Sequence, residues 1–383
     1  MRLLHTSDWH LGRTLHRADL RDAQAGFLDA LVETARSEQV DAVLVAGDVY
    51  YRAVPSLDAV ELCEQALVRL RETGARVVLI SGNHDSARRL GFGSRLVDAA
   101  GVHLRTSVSG CGTPVVLTDA HGEVAIYGLP YLEPDAVRHA LPEAADGGAA
   151  RGQAEVLKRA MSLVRADLAE RGGTRSVVLA HAWVGTGLGS DSERDIGGVG
   201  GVPAAIFDGI TYTALGHLHG PQVLAPGLRY SGSPLAYSFS EANHRKGSWL
   251  VELTASGLGE VVHVPSPPTR RLSRIIGSVD DLLTAREHDA VQDDYLRVTM
   301  TDAARPDDAM ARLSRRFAHV LVLDWQPAAG VADPRSYRAR VAGRTDLEVA
   351  HAFVEHVRRT PPEASETALF EQALEAGRLT AAT

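Results

Sequence analysis

Five apolar runs along the chain end abruptly in polar and flexible residues. Leu3-Leu4-His5-Thr6 leads into Asp8-Trp9-His10, and Ala42-Val43-Leu44-Val45 into Gly47-Asp48. Arg76-Val77-Val78-Leu79-Ile80 leads into Ser81-Gly82-Asn83-His84-Asp85. Val177-Val178-Leu179-Ala180 stops at His181, and Tyr212-Thr213-Ala214-Leu215 at Gly216-His217-Leu218-His219. Short continuous apolar runs bounded by turn residues read as buried strands.

Between them the period changes from continuous to helical. From Asp19 to Glu38 the apolar positions Leu20, Ala23, Phe27, Leu28, Leu31 and Ala35 mark one helix face. A second helix is expected from Ser56, whose hydroxyl can cap it, to about Thr73. Ala87 to Ala100 and Ala154 to Glu170 read as further helices, the latter stopped by Gly172-Gly173. Pro114 to Leu117 and Glu123 to Tyr127 read as extended pieces. Strand and helix alternating in this way predict an α/β fold with a parallel or mixed sheet.

Beyond Tyr230-Ser231-Gly232-Ser233-Pro234 the alternation of Trp249, Val251 and Leu253 predicts strands of a second sheet packed on the first. Pro265-Ser266-Pro267-Pro268 is the clearest linker. After it, strands near Leu272 to Ile276, Tyr295 to Met300 and Val320 to Trp325, with a helix over Asp307 to Phe317, predict a small α+β unit. Leu347 to Val357 and Thr367 to Leu374 read as two amphipathic helices joined through Thr360-Pro361-Pro362. The expected division is therefore a core over 1–266, an α+β unit over 267–342 and a helical pair over 343–383.

At 383 residues the chain is long enough for two or three domains and a sizeable core. A net charge of −8 argues against indiscriminate nucleic-acid binding by a basic surface, so a polyanionic substrate would need a focused site. Cys63 and Cys111 are the only cysteines and lie outside any Cys-X-X-Cys pattern and outside the strand-end motifs, which argues against a thiolate metal site and a disulfide framework and fits a reducing cytoplasm. No run approaches the ~18 apolar residues of a membrane span, and with the first strand starting at Arg2 no cleaved leader is expected.

In an α/β fold, ligand sites gather outside the carboxyl ends of strands. The five strand ends would then aim aspartates, an asparagine and histidines at one place. Such a donor set without thiolate suits Mn²⁺, with Mg²⁺, Fe²⁺ and Zn²⁺ compatible in ligand type. Seven candidate ligands, Asp8, His10, Asp48, Asn83, His181, His217 and His219, are too many for one ion and suit two. Two ions ~3.5–4 Å apart can clamp the attacking and leaving oxygens of an in-line phosphoryl displacement. Asp48, arriving from a central strand, is the natural bridge, and His84 is the candidate catalytic residue, facing the scissile phosphate. Arg13, Arg52, Arg88 and Arg89 lie near these motifs in sequence and are candidates for phosphate contact. Trp9 is expected in the core. The Gly-rich stretch from Gly185 to Gly201 lacks the P-loop lysine pattern and is expected to border the site.

The set Asp8-Trp9-His10, Gly47-Asp48, Gly82-Asn83-His84-Asp85, His181 and Gly216-His217-Leu218-His219 resembles the calcineurin-like metallophosphoesterase superfamily over roughly the first 220 residues. Ser7 to Gly12, Asp191-Ser192-Glu193-Arg194, Gly216 to Gln222 and Tyr230 to Pro234 are similar to the branch that supplies nuclease subunits to bacterial DNA-repair complexes. The resemblance implies a four-layer core of two mixed β-sheets flanked by helices, with a small α+β capping domain and C-terminal helices. It implies Asp8, His10, Asp48 and His219 around one manganese and Asp48, Asn83, His181 and His217 around the other, with His84 off the metals. It also implies an SbcC-type ATPase partner on which the C-terminal helices dock. ATP would act only through that partner, and the chain would bind DNA as a homodimer within a heterotetramer. Where relatives often carry a histidine or an acidic residue, three positions past Asp48, this chain has Tyr51. The rival reading is a small-molecule phosphodiesterase or phosphatase on the same fold.

Overall fold

The computed structural model describes residues 1–137, 140–141, 152–191, 193, 201–327, 343–358 and 360–381. Its strands in chain order are β1 (Arg2–Thr6), β2 (Ala42–Ala46), β3 (Arg76–Ile80), β4 (Val102–Leu104), β5 (Val115–Asp119), β6 (Gly122–Leu129), β7 (Arg175–His181) and β8 (Tyr212–Gly216). They continue with β9 (Gln222–Ala225), β10 (Leu228–Tyr230), β11 (Gly247–Thr254), β12 (Gly257–Pro265), β13 (Leu272–Gly277), β14 (Tyr295–Met300) and β15 (Val320–Trp325). Two six-stranded mixed sheets, in the orders β12-β11-β1-β2-β3-β4 and β5-β6-β7-β8-β10-β9, make the core.

The sheets face each other through apolar side chains that are hidden from water on both partners. Leu3, Leu44, Val78 and Ile80 of the first meet Ile126, Val177, Leu179 and Tyr212 of the second. Each such side chain contributes about 1.5–3 kcal/mol on burial. Helices Arg21–Ser37 and Leu57–Glu72 cover the outer face of the first sheet with Phe27, Leu28, Leu31, Ala66 and Leu70. Helix Gln153–Glu170 covers the second with Val156, Leu157, Ala160 and Met161. The result is the four-layer α/β architecture expected from the sequence. Both faces of each sheet are occupied, which is why the central strands read as continuous apolar runs.

Local chemistry sets the boundaries. The Ser56 hydroxyl accepts from the Ala59 amide at 3.3 Å and opens the second helix as anticipated. The helix expected over Ala87 to Ala100 is instead two short pieces, Ala87–Leu90 and Ser94–Asp98. Gly91 ends the first, and Gly93 turns the chain at φ 72°, a conformation that costs an L side chain energy. The expected helix over Asp307 to Phe317 shortens to Ala309–Leu313, entered through Asp308 at φ 50°.

One expectation about strand placement fails. β11 and β12 do not join the second sheet; β11 lies antiparallel to β1 and completes the first. Trp249 and Val251 still point at the second sheet, and alternation along one strand cannot reveal which neighbour supplies the hydrogen bonds.

The described residues form two compact units. One comprises Met1–Met300 and Asp307–Asp324. It holds both large sheets, and Leu272, Tyr295 and Leu321 of the three-stranded sheet β13-β14-β15 pack against Leu15, Leu20, Leu235 and Tyr237. The other comprises Thr301–Pro306 and Trp325–Thr383, and contains helices Asp346–Arg358 and Ala364–Ala381. These two helices pair through Arg358 and Glu366 at 2.5 Å and through the rings of His351 and Phe370. No helix among the described residues is long and apolar enough to cross a membrane.

Candidate metal centre

Parallel register carries the ligand candidates to one end of the two sheets. Thr6 of β1 pairs with Val45 of β2, and the pairing continues past the strand ends: the Asp8 amide donates to Gly47 O at 3.0 Å and the His10 amide to Asp48 O at 2.9 Å. In the second sheet His181 pairs with Gly216, so His217 emerges beside it.

The backbone at this end is held in an uncommon conformation. Asp8, His10, Asp48 and His217 have φ of 53°, 47°, 49° and 103°. Non-glycine residues seldom adopt positive φ, at a cost of order 1–3 kcal/mol each. Surrounding contacts hold them there. The Asp8 carboxylate accepts from the His217 amide at 3.1 Å, and the Asp48 carboxylate accepts from the His84 amide at 2.9 Å. Gly82 is required by proximity: a Cβ there would collide with Asp48.

All eight side chains singled out from the sequence meet here. His10 Nε2 lies 3.0 Å from His219 Nε2 and 3.6 Å from an Asp48 oxygen. Asp48 lies 3.5 Å from His181 Nε2. The Asn83 carbonyl oxygen lies 3.0 Å from His181 Nε2 and 3.0 Å from His217 Nδ1. The rings of His10 and His84 stand edge to face with centroids 4.8 Å apart. Three groups, Asp8-His10-His219, His10-Asp48-His84 and Asp8-Asp48-His181, place ligand atoms within 4.8 Å of one another and could hold a metal ion. Trp9 is wholly buried beneath them as expected, its indole donating to Thr6.

The donors fit a cation. His181 Nδ1 donates to Ala46 O at 2.9 Å and His219 Nδ1 faces Glu241 at 3.1 Å, so each presents the Nε2 lone pair inward, as ligating imidazoles do. His10 Nδ1 is buried without a partner among the described residues. Burial raises the Asp8 carboxyl above its ordinary value, and burial with its neighbours lowers His217 to about 3. Burial also opposes the imidazolium of His181, yet the Asp48 carboxylate outweighs it and lifts that group to about 9, so without a cation Nε2 holds a proton that a bound ion would displace to free the lone pair. Buried carboxylates that draw a proton onto a neighbouring imidazole are a site in demand of positive charge.

His84 is oriented differently. Its Nδ1 donates to the Tyr51 carbonyl at 2.9 Å, because a carbonyl can only accept, leaving Nε2 for a reacting group. Position 51 therefore serves through its backbone, and the departure at Tyr51 leaves the anchor of His84 in place. The Tyr51 ring stacks on His84 with centroids 5.8 Å apart.

Several supporting residues were either unmarked in the sequence, as Glu241 and Lys246 were, or stood in the quoted motifs without an assigned role, as Glu193 and Asp85 did. Glu241, fully buried, bridges His219 and the Lys246 ammonium, which lies 2.6 Å away. Burial opposes its ionisation, but His219 and Lys246 hold its carboxyl well below the usual range. Glu193 accepts from the His219 amide and, at 2.6 Å, from Ser190 Oγ. Asp85 accepts from the amides of Gly82, Val49 and Tyr50, tying the loops after β2 and β3 together; burial, with Asp48 near, raises its carboxyl to about 7. Ser192, Arg194 and the glycines to Gly200 lie outside the described residues. Arg89 donates to Ala53 O at 3.0 Å and so has a structural role.

A buried cluster of oxygen and nitrogen donors at the ends of two facing sheets defines a metal-dependent phosphoesterase centre. Residues 1–221, more than half of the chain, match the family Calcineurin-like phosphoesterase, and the chain belongs to that family. The fold implies divalent metal ions at the clustered donors. Residues 268–358 match the SbcD C-terminal family, described as the Type 5 capsule protein repressor C-terminal domain. Similar solved structures include TT1561 of Thermus thermophilus, 16% identical over 68% of this chain and 98% of that one at a TM-score of 0.39. They also include a dimetal phosphatase from Danio rerio (LOC 393393), 14% identical over 70% of this chain and 99% of that one at a TM-score of 0.42.

Proposed function

We propose that the chain is an SbcD-like nuclease subunit: a two-metal DNA nuclease, double-strand exonuclease and single-strand or hairpin endonuclease, working with an SbcC-type ATPase in DNA end processing, repair and recombination. The observation that carries this reading is the succession, in one chain, of a calcineurin-like phosphoesterase match over 1–221 and an SbcD C-terminal match over 268–358. The ATP-dependent part belongs to the partner, because the sequence has no Walker motif.

In this reading Asp8, His10, Asp48 and His219 hold one Mn²⁺, and Asp48, Asn83, His181 and His217 the other, with Asp48 shared. Bound there, the ions would acidify a water and neutralise charge on the phosphate. His84 takes no ion. Its Nε2 faces the phosphate and, with the ring as imidazolium, gives its proton to the departing oxygen or stabilises the charge that develops, leaving the neutral ring protonated at Nδ1. The bond from Nδ1–H to the Tyr51 carbonyl persists before and after that transfer and fixes the orientation of the ring. Residues 267–342 serve as the capping, DNA-binding domain and 343–383 as the helical pair that docks on the ATPase, within a heterotetramer containing two copies of this chain.

The test is incubation of the chain with end-labelled duplex, hairpin and single-stranded DNA in Mn²⁺, Mg²⁺ or EDTA, beside a small phosphodiester, with and without the ATPase. Manganese-dependent DNA cleavage lost in His84→Ala is expected. Turnover of the small ester with DNA untouched in the ATPase's presence would favour the small-molecule phosphodiesterase instead.

A further inference from the structure

Among the described residues, two guanidinium groups beside His84 have no counter-ion. Arg13 lies between two aromatic rings, its guanidinium carbon 5.3 Å from the centroid of Tyr51 and 4.9 Å from that of Tyr237. Arg52 lies 5.3 Å from the centroid of Tyr51 as well. Neither side chain makes a hydrogen bond or an ion pair with another described residue, and Nη1 of Arg13 is buried with no acceptor. An arginine carries five N–H donors in a rigid fork suited to phosphate oxygens. Aromatic faces fix the fork in place without consuming those donors.

The position of the pair matters as much as its chemistry. Tyr51 contacts both guanidinium groups and also stacks on His84, with an interplanar angle of 23°. One ring thus sets the spacing between the proton donor and two unpaired cations. A small phosphate ester brings a single phosphate, which the metal centre and His84 occupy. A chain of phosphodiesters offers further anions at the next positions along its backbone.

We infer that Arg13 and Arg52, positioned by Tyr51, form a clasp for the phosphates flanking the scissile one in a polymeric phosphodiester. This rests on the nuclease reading and adds the substrate feature that reading lacks. It also reconciles a net charge of −8 with a polyanionic substrate, since the positive charge is concentrated beside the reacting group. Tyr51 is a positioning residue here.

The test is equilibrium binding of a fluorescent single-stranded oligonucleotide to the full chain in EDTA, followed by anisotropy across a salt series. Arg13→Ala and Arg52→Ala should each weaken binding about tenfold and reduce the slope of log K against log salt by about 0.7, one phosphate contact apiece. Tyr51→Ala should act like the arginine variants, while Tyr51→Phe, which keeps the ring, should bind as the unsubstituted chain does. Arg36→Ala, on a remote helix, is the control. Unchanged affinity and slope in both arginine variants, or no binding by the unsubstituted chain, overturns the clasp. An oligonucleotide bound through these arginines but left intact in Mn²⁺ with the ATPase would sink the nuclease reading and leave the clasp standing.

Discussion

The His84 amide donates to the Asp48 carboxylate at 2.9 Å, while the His84 imidazole turns away toward the Tyr51 carbonyl. Backbone and side chain of one residue thus point to different partners, the amide orienting a metal-ligand candidate and the ring, in the proposed function, serving the substrate. In His84→Ala the amide remains. Bound metal, read by elemental analysis, should be unchanged, while phosphodiester turnover falls about 10²- to 10⁴-fold. Loss of metal in that variant would make His84 a ligand.

Asp48 is the opposite case. Its carboxylate lies within 3.6 Å of both His10 and His181, which belong to different candidate ion sites. Asp48→Ala should deplete both ions together, measured as metal per chain after dialysis against Mn²⁺. Retention of one ion would deny the shared position.

Glu241 acts through His219 and Lys246. Glu241→Gln should weaken metal binding about 10- to 100-fold by loosening the orientation of His219. It should also cost about 3–5 kcal/mol in denaturant unfolding, because the Lys246 ammonium is left buried without its carboxylate. The double variant Glu241→Gln with Lys246→Met should recover stability without recovering metal affinity. Equal recovery of both would mean that Glu241 matters for packing alone.

The site's ligand candidates were legible in the sequence because strand ends are local: an apolar run followed by Asp, Asn or His within three residues needs no tertiary information to be noticed. Glu241 was not, since it reaches His219 only through the return of the chain toward β1, and Glu193 stood in a quoted motif without a role, because its contact with His219 forms only once the loop after β7 has folded back. The same return misled the assignment of β11 and β12. Periodicity reports which face of a strand is buried, and Trp249 and Val251 are buried against the second sheet whichever sheet their backbones join. The helix over Ala87 to Ala100 failed for a simpler reason, as Gly91 and Gly93 break it between charged residues that hide the interruption from a count of apolar positions.

Away from the centre, Arg175 at the start of β7 grips Asp119 at the end of β5, with Nη2 2.5 Å from one oxygen and Nη1 3.0 Å from the other. The Arg175 hydrogen bonds hold the Asp119 carboxyl well below the usual carboxylate range. A carboxyl whose folded-state value is depressed binds its proton more readily in the unfolded chain, whose ordinary value is about 3.9. Its contribution to stability is therefore full above that value and declines as the pH falls below it. Asp119→Asn should lower the urea midpoint at pH 7, and the gap from the unsubstituted protein should narrow as the pH is taken from about 5 to 3. A gap that stayed constant across that range would show that the pair contributes through shape and hydrogen bonding, independent of charge.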